Sequence, residues 1–484
     1  MPLILPGNVA TATASTTYDV ANSCRFDRGS SASMHITFSS AGDRQKFTFS
    51  FWIKRNKLGT QEVIFDTNFG GGASEHRILF DSSDRLEYYD YASSSITLKY
   101  VTNRVFRDIS AWYHIVIAVD TTQGTAGNRV KIYINGTQET SFGTETQPSE
   151  NLSTSLNTAV KHQIGTKNTG VNYLEAYLAE FVFIDGTQYA NTDFGEFDSD
   201  SPRIWKPKDP SGLTFGTNGF YLDFEASGNL GNDANGGTDL TESNIVAGDQ
   251  STDTCTNNFA VMNSIAIHPS STFTFSENNL QFATSSSTRG YWVSTIAVSS
   301  GKWYWEYKVT NNQSRTCVGI AGAPAATNND PESGDHDDAT IYTTINGKIS
   351  YNSNSGTDNY YNQATGSDDI IIGCALDLTS STNTIAFSID GAWVTGSGTT
   401  STDFANVLVN DDFTNVSSAT NGQYFFIAGD DGGDQDIGGQ ANFGNPPFSI
   451  SSGNADGNGY GNFEFAVPSG YFSLCTKNLA EYGG

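Results

Sequence analysis

Hydrophobic and polar residues alternate over many short stretches of this chain, at the period of two that is typical of β-strands. Residues 47–54 place an aromatic or aliphatic side chain at every second position, which predicts a strand with one buried face. Residues 112–119 are almost continuously apolar and predict a central strand. Residues 130–134 alternate and then reach Asn135 and Gly136, and an Asn-Gly pair in this position indicates a tight β-hairpin.

The same pattern returns in the second half of the chain. Residues 302–309 alternate between two faces, and residues 371–378 predict another central strand. Residues 385–389 alternate and then turn at Asp390 and Gly391. Because short strands with tight turns recur and no long stretch has a helical period, we expect an all-β protein built of antiparallel sandwiches.

The length of 484 residues exceeds that of one ordinary domain, so we expect at least two. Residues 23–200 and 263–484 carry the strand patterns and predict two sandwich domains in tandem. Residues 201–262 are rich in proline and in turn-forming residues, and they predict a linker with one packed strand at 219–225. Residues 1–22 predict an extended arm, with a first edge strand or a loose terminus as alternatives.

The charge balance excludes some partners. The chain has 52 acidic and 25 basic residues, with a formal net charge of -27. Binding to nucleic acid needs clustered Lys and Arg, and so does binding to anionic membranes. No apolar run is long enough to span a bilayer. We therefore expect neither nucleic-acid binding nor membrane insertion.

The N-terminal segment and the cysteines bear on whether the chain is secreted. The apolar start at residues 1–7 lacks a basic segment and is broken by Pro6, so we expect no signal peptide. The cysteines stand singly rather than in CxxC pairs, which argues against a zinc site or a disulfide framework and predicts buried thiols: Cys24, Cys255, Cys317, Cys374 and Cys475.

The first half of the chain resembles the laminin G and pentraxin members of the concanavalin A-like superfamily. The resemblance covers roughly residues 23–190 and implies a jelly-roll β-sandwich. It rests on the order and spacing of five segments: Phe47-Thr-Phe-Ser-Phe-Trp-Ile-Lys54, Trp112-Tyr-His-Ile-Val116, Val130-Lys-Ile-Tyr-Ile-Asn-Gly136, His162-Gln-Ile-Gly165 and Leu178-Ala-Glu-Phe-Val-Phe-Ile-Asp-Gly186.

The second half resembles a SPRY domain, which is another concanavalin A-like sandwich. The resemblance covers roughly residues 263–475 and is the more specific of the two. It rests on Gly301-Lys-Trp-Tyr-Trp-Glu-Tyr307, Val318-Gly-Ile-Ala321, Ile372-Gly-Cys-Ala-Leu-Asp-Leu378, Ile385-Ala-Phe-Ser-Ile-Asp-Gly391 and Ala441-Asn-Phe-Gly444. The pairing of the two domain types, together with the Met-Pro opening and residues 473–479, is similar to tail-fibre or lectin-like structural proteins of marine tailed phages.

The chain has only a poor match to a known catalytic motif. Hydrolases of the laminarinase type share the superfamily and carry a Glu-x-Asp-x-x-Glu or Glu-x-Asp-x-Glu run. The nearest segment here, Glu196-Phe-Asp-Ser-Asp200, ends in Asp and lies in a polar stretch before Pro202. Glycoside hydrolysis needs two carboxyl groups held at a defined separation, which a loop does not guarantee. His114 lies inside a strand pattern and is expected to be a packed core residue. We therefore expect no enzyme.

The candidate sites concern binding. Laminin G and pentraxin domains often bind calcium, which prefers several oxygen ligands, and the resemblance makes calcium the one cofactor to consider. Its candidate ligands are Asp66, Asn68 and Asp81, with Asp84 nearby. Exposed tyrosines with Asn or Asp neighbours could bind glycans by stacking and hydrogen bonding. Two clusters qualify: Tyr88, Tyr89 and Tyr91 in the first half, and Tyr351, Asn352, Tyr360 and Tyr361 in the second.

The resemblance and the composition together predict a virion structural or adhesion protein of a tailed phage: a tail-fibre, tail-tip or capsid-decorating protein. Such a protein would be assembled in the host cytoplasm and released by lysis, with other virion subunits as partners and with many copies forming a homo-oligomer. Its ligand would be a host-surface glycan or protein. The alternatives are an architectural joint or cement protein without a ligand, and an enzyme that degrades polysaccharide.

Overall fold

A computed structural model describes residues 18–69, 74–267, 273–284, 290–312, 316–322, 339–344, 347–351, 359–360, 368–379, 383–395, 399–404, 422–430 and 436–483. Within these ranges the chain forms two compact units that divide between Thr256 and Asn257. Almost all strand pairings in both units are antiparallel, so the predicted all-β fold class is confirmed.

The first unit consists of two sheets packed face to face. Its strands are β1 (Ser23–Phe26), β2 (Ser33–Thr37), β3 (Lys46–Arg55), β4 (Glu62–Phe69), β5 (Ser74–Phe80), β6 (Arg85–Ala92), β7 (Ser95–Val105), β8 (Trp112–Asp120), β9 (Val130–Ile134), β10 (Thr137–Gln138), β11 (Phe142–Thr146), β12 (Lys161–Ile164), β13 (Ala176–Asp185), β14 (Gly195–Phe197), β15 (Trp205–Pro207), β16 (Phe220–Leu222), β17 (Thr241–Ser243) and β18 (Gln250–Ser251). Short 3₁₀ turns lie at Ala126–Asn128, Asn191–Asp193 and Ala247–Asp249.

The strand order defines the two sheets. Sheet A runs β10-β9-β8-β3-β13-β1-β18, with β16 also paired to β13. Sheet B runs β11-β7-β6-β5-β4-β12-β2-β17. The core between them joins Phe47, Phe49 and Ile115 of sheet A to Ile64 and Ile78 of sheet B, all fully buried. Strands β14 and β15 form a separate two-stranded hairpin.

The two sheets differ in what covers their outer faces. Strands β8 and β13 of sheet A are buried along nearly their whole length, whereas β6 of sheet B alternates buried and partly exposed residues. Sheet A therefore packs on both faces, and its outer face is covered by chain segments from both ends of the unit. One outer cluster contains Val20, Trp52, Trp112, Tyr177, Ala179 and Trp205, and a second contains Val116, Val182, Ile184, Phe194, Phe215 and Tyr221.

The segment 201–256 supplies much of this cover. The sequence predicts one packed strand in it, and the structure has four, because short strands too brief to show a period still pair with long ones. Strand β16 pairs with β13, β17 with β2 and β18 with β1. The N-terminal segment also contributes to this cover. Val20, near the end of the predicted arm, packs in the first outer cluster, and residues 1–17 lie outside the described ranges.

The second unit is also built from two sheets. Its strands are β19 (Phe273–Ser276), β20 (Gln281–Thr284), β21 (Gly290–Val298), β22 (Lys302–Asn312), β23 (Thr316–Ala321), β24 (Thr340–Thr343), β25 (Lys348–Tyr351), β26 (Asn359–Tyr360), β27 (Ile371–Asp377), β28 (Thr384–Ile389), β29 (Ala392–Val394), β30 (Thr400–Ser401), β31 (Tyr424–Asp430), β32 (Ile437–Asn442) and β33 (Phe472–Ser473), followed by helix α1 (Thr476–Tyr482).

Sheet C of this unit runs β19-β20-β32-β22-β27-β28-β29-β30, with β33 parallel to β22, and sheet D runs β21-β31-β23-β24-β25-β26. The core between the sheets is aromatic: Trp305 packs against Phe443 at 5.4 Å and against Trp292 at 5.9 Å between ring centroids. Glu306 lies buried beside this core on the other face of β22, and burial raises its pKa to about 7 although four donors bind its carboxylate.

Candidate ligand-binding face

The outer face of sheet B carries a row of polar side chains that runs straight across the strands. Residues that are direct cross-strand partners form it, one from each strand in turn. Alternation places them outside because their chain neighbours, such as Phe65, Ile78 and Leu98, lie in the core. We call this set the polar row: Thr241, His35, Gln163, Asp66, Arg77, Tyr89, Lys99 and Thr146.

Arg77 lies at the centre of the polar row and is nearly buried, with 6% of its side chain exposed. Its Nε donates to Asp66 Oδ1 at 2.7 Å, and its Nη2 lies 3.0 Å from Glu75 Oε2. Its Nη1 donates to the Tyr89 hydroxyl. Burial alone would lower the pKa of Arg77, but the charge of Asp66 and the neighbouring acidic groups raise it above its ordinary value.

The ring of Tyr89 lies near two cations. The Arg77 guanidinium is 5.4 Å from the ring centroid, and the Lys99 ammonium is 5.7 Å from it. The Tyr89 hydroxyl donates to Glu75 Oε2 at 3.0 Å, and burial raises the pKa of this hydroxyl far above its usual range. Lys99 also pairs with Glu87 at 2.6 Å. The tyrosine is therefore fixed in orientation while one part of it stays exposed.

The neighbouring tyrosines separate because side chains alternate along a strand. Tyr91 lies two residues beyond Tyr89 on the same face and is partly exposed, opposite Ile96, which is 46% exposed. Tyr88 points the other way and is fully buried in the core. Tyr89 and Tyr91 thus share the outer face, whereas Tyr88 cannot contact an external ligand. This corrects the sequence-based cluster, which treated the three as equivalent.

The predicted metal ligands already have protein partners. Asp66 accepts from Arg77 and from the Asn168 amide at 2.7 Å, and burial raises its pKa. Asp81 binds the backbone amides of Ser83 and Arg85 and so closes the turn after β5. The side chain of Asn68 lies outside the described part of the chain. Among described residues, no group of three or more His, Cys, Asp or Glu side chains is placed to hold a metal ion. Calcium stays a prediction.

The second tyrosine cluster falls almost entirely outside the described ranges. Asn352 and Tyr361 are not among the described residues. For Tyr351 and Tyr360 only the backbone is described: Tyr351 ends β25 opposite Thr340, and Tyr360 lies in β26 opposite Lys348. The prediction of a glycan site there is untested.

His114 makes a contact with a serine that could be mistaken for catalytic machinery. Its Nε2 lies 2.9 Å from Ser50 Oγ, and its Nδ1 accepts a hydrogen bond from Trp205 Nε1 at 2.9 Å. Because the indole nitrogen only donates, Nδ1 carries no proton and Nε2 does. The imidazole therefore donates to Ser50 and cannot deprotonate it. Burial also lowers the pKa of His114 to about 3, so the ring is a neutral structural group, as the sequence predicts.

The hydrolase-like run lies on the β14–β15 hairpin rather than in either large sheet. Lys206 binds Glu196 at 3.5 Å and Asp198 at 3.3 Å. The backbone amide of Ser201 and its neighbours lower the pKa of Asp198. A general acid needs a raised pKa, whereas Asp198 is held in the ionised form instead.

Two groups were missed by the sequence reasoning. Arg77 gives no local signal, because a single arginine in an alternating strand looks like a solvated residue. Glu180 also gave none: it lies at a bulge in β13 with φ of 50°, and its carboxylate accepts from Tyr221 at 2.6 Å and Tyr18 at 3.0 Å. Burial raises the pKa of Glu180 to about 8. The phenylalanine and valine that follow it gave a clear strand pattern that hid the bulge.

Comparisons with known families follow the division into two units. A laminin G-type model of the concanavalin A-like lectin/glucanase superfamily matches residues 28–189. A SPRY-domain model matches residues 302–411. The chain carries a laminin G-type domain and a SPRY domain. The resemblances to laminin G and SPRY domains are confirmed, and so is the fold class of tandem concanavalin A-like sandwiches. All strands of sheet B except β17 lie within residues 28–189.

Similar solved structures have low sequence identity. Domains LG4-5 of the mouse laminin α1 chain are 11% identical, with 96% of this chain and 91% of that chain covered and a TM-score of 0.30. The SPRY domain of human HERC1 is 16% identical, with 37% and 96% covered and a TM-score of 0.27. A heptameric pentraxin of Limulus polyphemus is 13% identical, with 34% and 77% covered and a TM-score of 0.26. No curated protein matches the chain. Within the described ranges, no helix has the length and apolarity needed to cross a bilayer.

Proposed function

We propose that this protein is a non-enzymatic, lectin-like adhesin whose laminin G-type domain binds glycans on the outer face of sheet B. The observation that carries the proposal is Tyr89, a partly exposed ring held in place by Arg77, Glu75 and Lys99. A fixed aromatic ring can stack on the apolar face of a sugar at little entropic cost. The surrounding carboxylates and cations can accept from and donate to sugar hydroxyls.

The charges of this face favour an uncharged glycan. Arg77 and Lys99 carry positive charge, and Asp66, Glu75 and Glu87 oppose it at ion-pair distance. These five side chains carry no excess of positive charge that would select a polyanion such as a sulfated polysaccharide. The overall charge of -27 acts in the same direction, because it repels anionic ligands at long range.

The proposed setting is the surface of a tailed-phage virion, as a tail-fibre, tail-tip or capsid-decorating protein. Support comes from the sequence resemblance, from the strong acidity and from the pairing of two domain types that elsewhere serve recognition. Many copies held by other virion subunits would bind the host surface together, so a weak individual site would suffice. Localisation of the chain in purified particles by electron microscopy tests this part. Sheet B buried against other subunits would instead favour an architectural role.

The binding proposal is tested by glycan-array measurements on the whole protein and on Tyr89→Ala. We expect Tyr89→Ala to lose about tenfold in affinity, which corresponds to about 1.4 kcal/mol and is typical of a lost stacking contact. Tyr460→Ala is the matched control, because Tyr460 lies beside Lys477 at 5.5 Å in the other unit. Absence of wild-type binding to any neutral glycan, or equal losses in both variants, would refute the proposal.

A further inference from the structure

A lysine and an aspartate meet in the interior of the first unit without access to solvent. Lys54 lies on β3, and Asp253 lies two residues after β18. The Lys54 Nζ is 2.7 Å from Asp253 Oδ2, and both side chains are 0% exposed. Burial lowers the pKa of Lys54, against the opposing charges of Asp253 and Asp108. The amine is therefore closer to its neutral, nucleophilic form than a surface lysine is.

The surroundings of the pair are aromatic and fix both partners. Trp112 Nε1 donates to the second carboxylate oxygen, Asp253 Oδ1, at 3.1 Å. The Lys54 ammonium lies 5.6 Å from the ring centroid of Tyr177. The backbone carbonyl of Asp253 accepts from Ser23 Oγ at 2.6 Å, so the aspartate is held on its main-chain side as well. An amine and a carboxyl group are thus kept in contact, in one orientation and away from water.

We propose that Lys54 and Asp253 react to form an intramolecular isopeptide bond, which makes this pair a site of covalent self-modification. Proximity of this kind can replace an external catalyst, because the two groups need no collision to meet. Condensation of an amine with a carboxylic acid yields an amide and one water molecule. The reaction changes no oxidation state and needs no cofactor.

The condensation conserves every atom and begins with a proton transfer. Within the low-dielectric site the proton of the Lys54 ammonium moves to Asp253 Oδ2, which gives a neutral amine and a neutral acid. The Nζ lone pair attacks Cγ, and the charge that develops on Oδ1 is stabilised by the Trp112 N–H group. The C–Oδ2 bond then breaks, and Oδ2 leaves as water with its own proton and a second proton from Nζ.

Burial separates this pair from other lysine–carboxylate contacts in the described residues. Lys302 and Asp377 are almost as close, at 2.8 Å, but the lysine side chain is 37% exposed. Water stabilises both charges there, so proton transfer and attack are disfavoured. Lys302–Asp377 is therefore the matched control, because the same two groups lie at nearly the same distance but are exposed to water.

The first test is the intact mass of the purified, denatured full-length protein. The proposal requires a mass one water molecule below that of the unmodified polypeptide, and a proteolytic fragment in which the peptides containing Lys54 and Asp253 are joined. An intact mass equal to that of the unmodified polypeptide overturns it. So does a water loss that maps to an Asp-Gly step such as Asp185-Gly186, where a succinimide forms without joining two peptides.

Two variants assign the bond. Lys54→Met keeps most of the length of the side chain but has no amine, and its mass must equal that of its unmodified polypeptide, with no loss of water. Lys302→Met must keep the water loss and the joined peptides. If Lys54→Met fails to fold, the joined peptide from the wild type still decides the matter, because its fragmentation identifies the two linked residues directly.

Discussion

Replacing Arg77 with methionine tests whether the polar row is held by a buried charge network. Methionine keeps much of the length of the side chain and removes the guanidinium. Asp66, which is fully buried, then loses its ion pair and keeps the Asn168 amide among its described donors. Removal of one partner from a buried ion pair costs about 3–5 kcal/mol, because the other charge stays buried without compensation.

The exposed pair between Arg85 and Asp81 provides the comparison. Its atoms are equally close, at 2.7 Å, but 39% of the Arg85 side chain is exposed. Exposed pairs contribute about 0–1 kcal/mol, so Arg85→Met should change the free energy of unfolding little. Urea denaturation measures both variants, and hydrogen exchange of residues 62–92 assigns the loss to sheet B.

The pH dependence of the stability of Arg77→Met provides a second test of the buried charge network. Burial already raises the pKa of Asp66 with Arg77 present, so removal of Arg77 raises it further. Protonation of Asp66 then relieves the uncompensated charge, and Arg77→Met should recover stability relative to the wild type as the pH falls. The double variant Arg77→Met/Asp66→Asn should recover part of the loss at neutral pH. Equal effects of Arg77→Met and Arg85→Met, or a loss independent of pH, would refute the network.

Further predictions concern single groups in each unit. Glu180 has a pKa of about 8 against an ordinary value of 4.5, so its protonation stabilises the folded state fully below pH 4.5, and this contribution is lost as the pH rises through 8. Glu180→Gln should therefore flatten the fall in melting temperature between pH 5 and pH 9. An unchanged slope would contradict the assignment of this fall to Glu180. Trp205→Ala removes a side chain that packs in the outer cluster of sheet A and should cost about 3–5 kcal/mol in urea denaturation, whereas a loss under about 1 kcal/mol would show that this cover is dispensable. Gly439→Ala should lower the melting temperature of the second unit, because its Cβ would overlap the hydroxyl of the fully buried Tyr307; a fully tolerated substitution would mean that the ring can move aside.

The long strands could be predicted from the sequence because their patterns are local. The alternating residues 47–54 lie within β3, and the apolar run 112–119 lies within β8. The hairpin at Asn135 and Gly136 has φ values of 48° and 76°, as a tight turn of this kind requires. Each of these features depends on a few neighbouring residues, so no knowledge of the rest of the fold is needed.

The candidate site could be predicted only in part. The sequence singled out Tyr89 and Asp66, but the polar row that joins them is defined by the register of strands far apart in the chain. Register cannot be obtained from one strand alone. The side of Tyr88 could have been inferred, since Leu86 two residues earlier is apolar and shares its face. The strands in 201–256 are two or three residues long, too short to show a period.

The cover over sheet A has a consequence for synthesis on the ribosome. Strand β1 leaves the ribosome early, yet it pairs with β13 and with β18, the last strand of its unit. Until residues near 256 have been translated, Trp52, Trp112 and Tyr177 stay open to water on one side of a nearly finished sheet. At elongation rates of about 5–20 residues per second, this intermediate with its exposed aromatic face persists for seconds. That is long enough for chaperones to bind or for neighbouring nascent chains to aggregate. A truncation at residue 200 would make that transient exposure permanent.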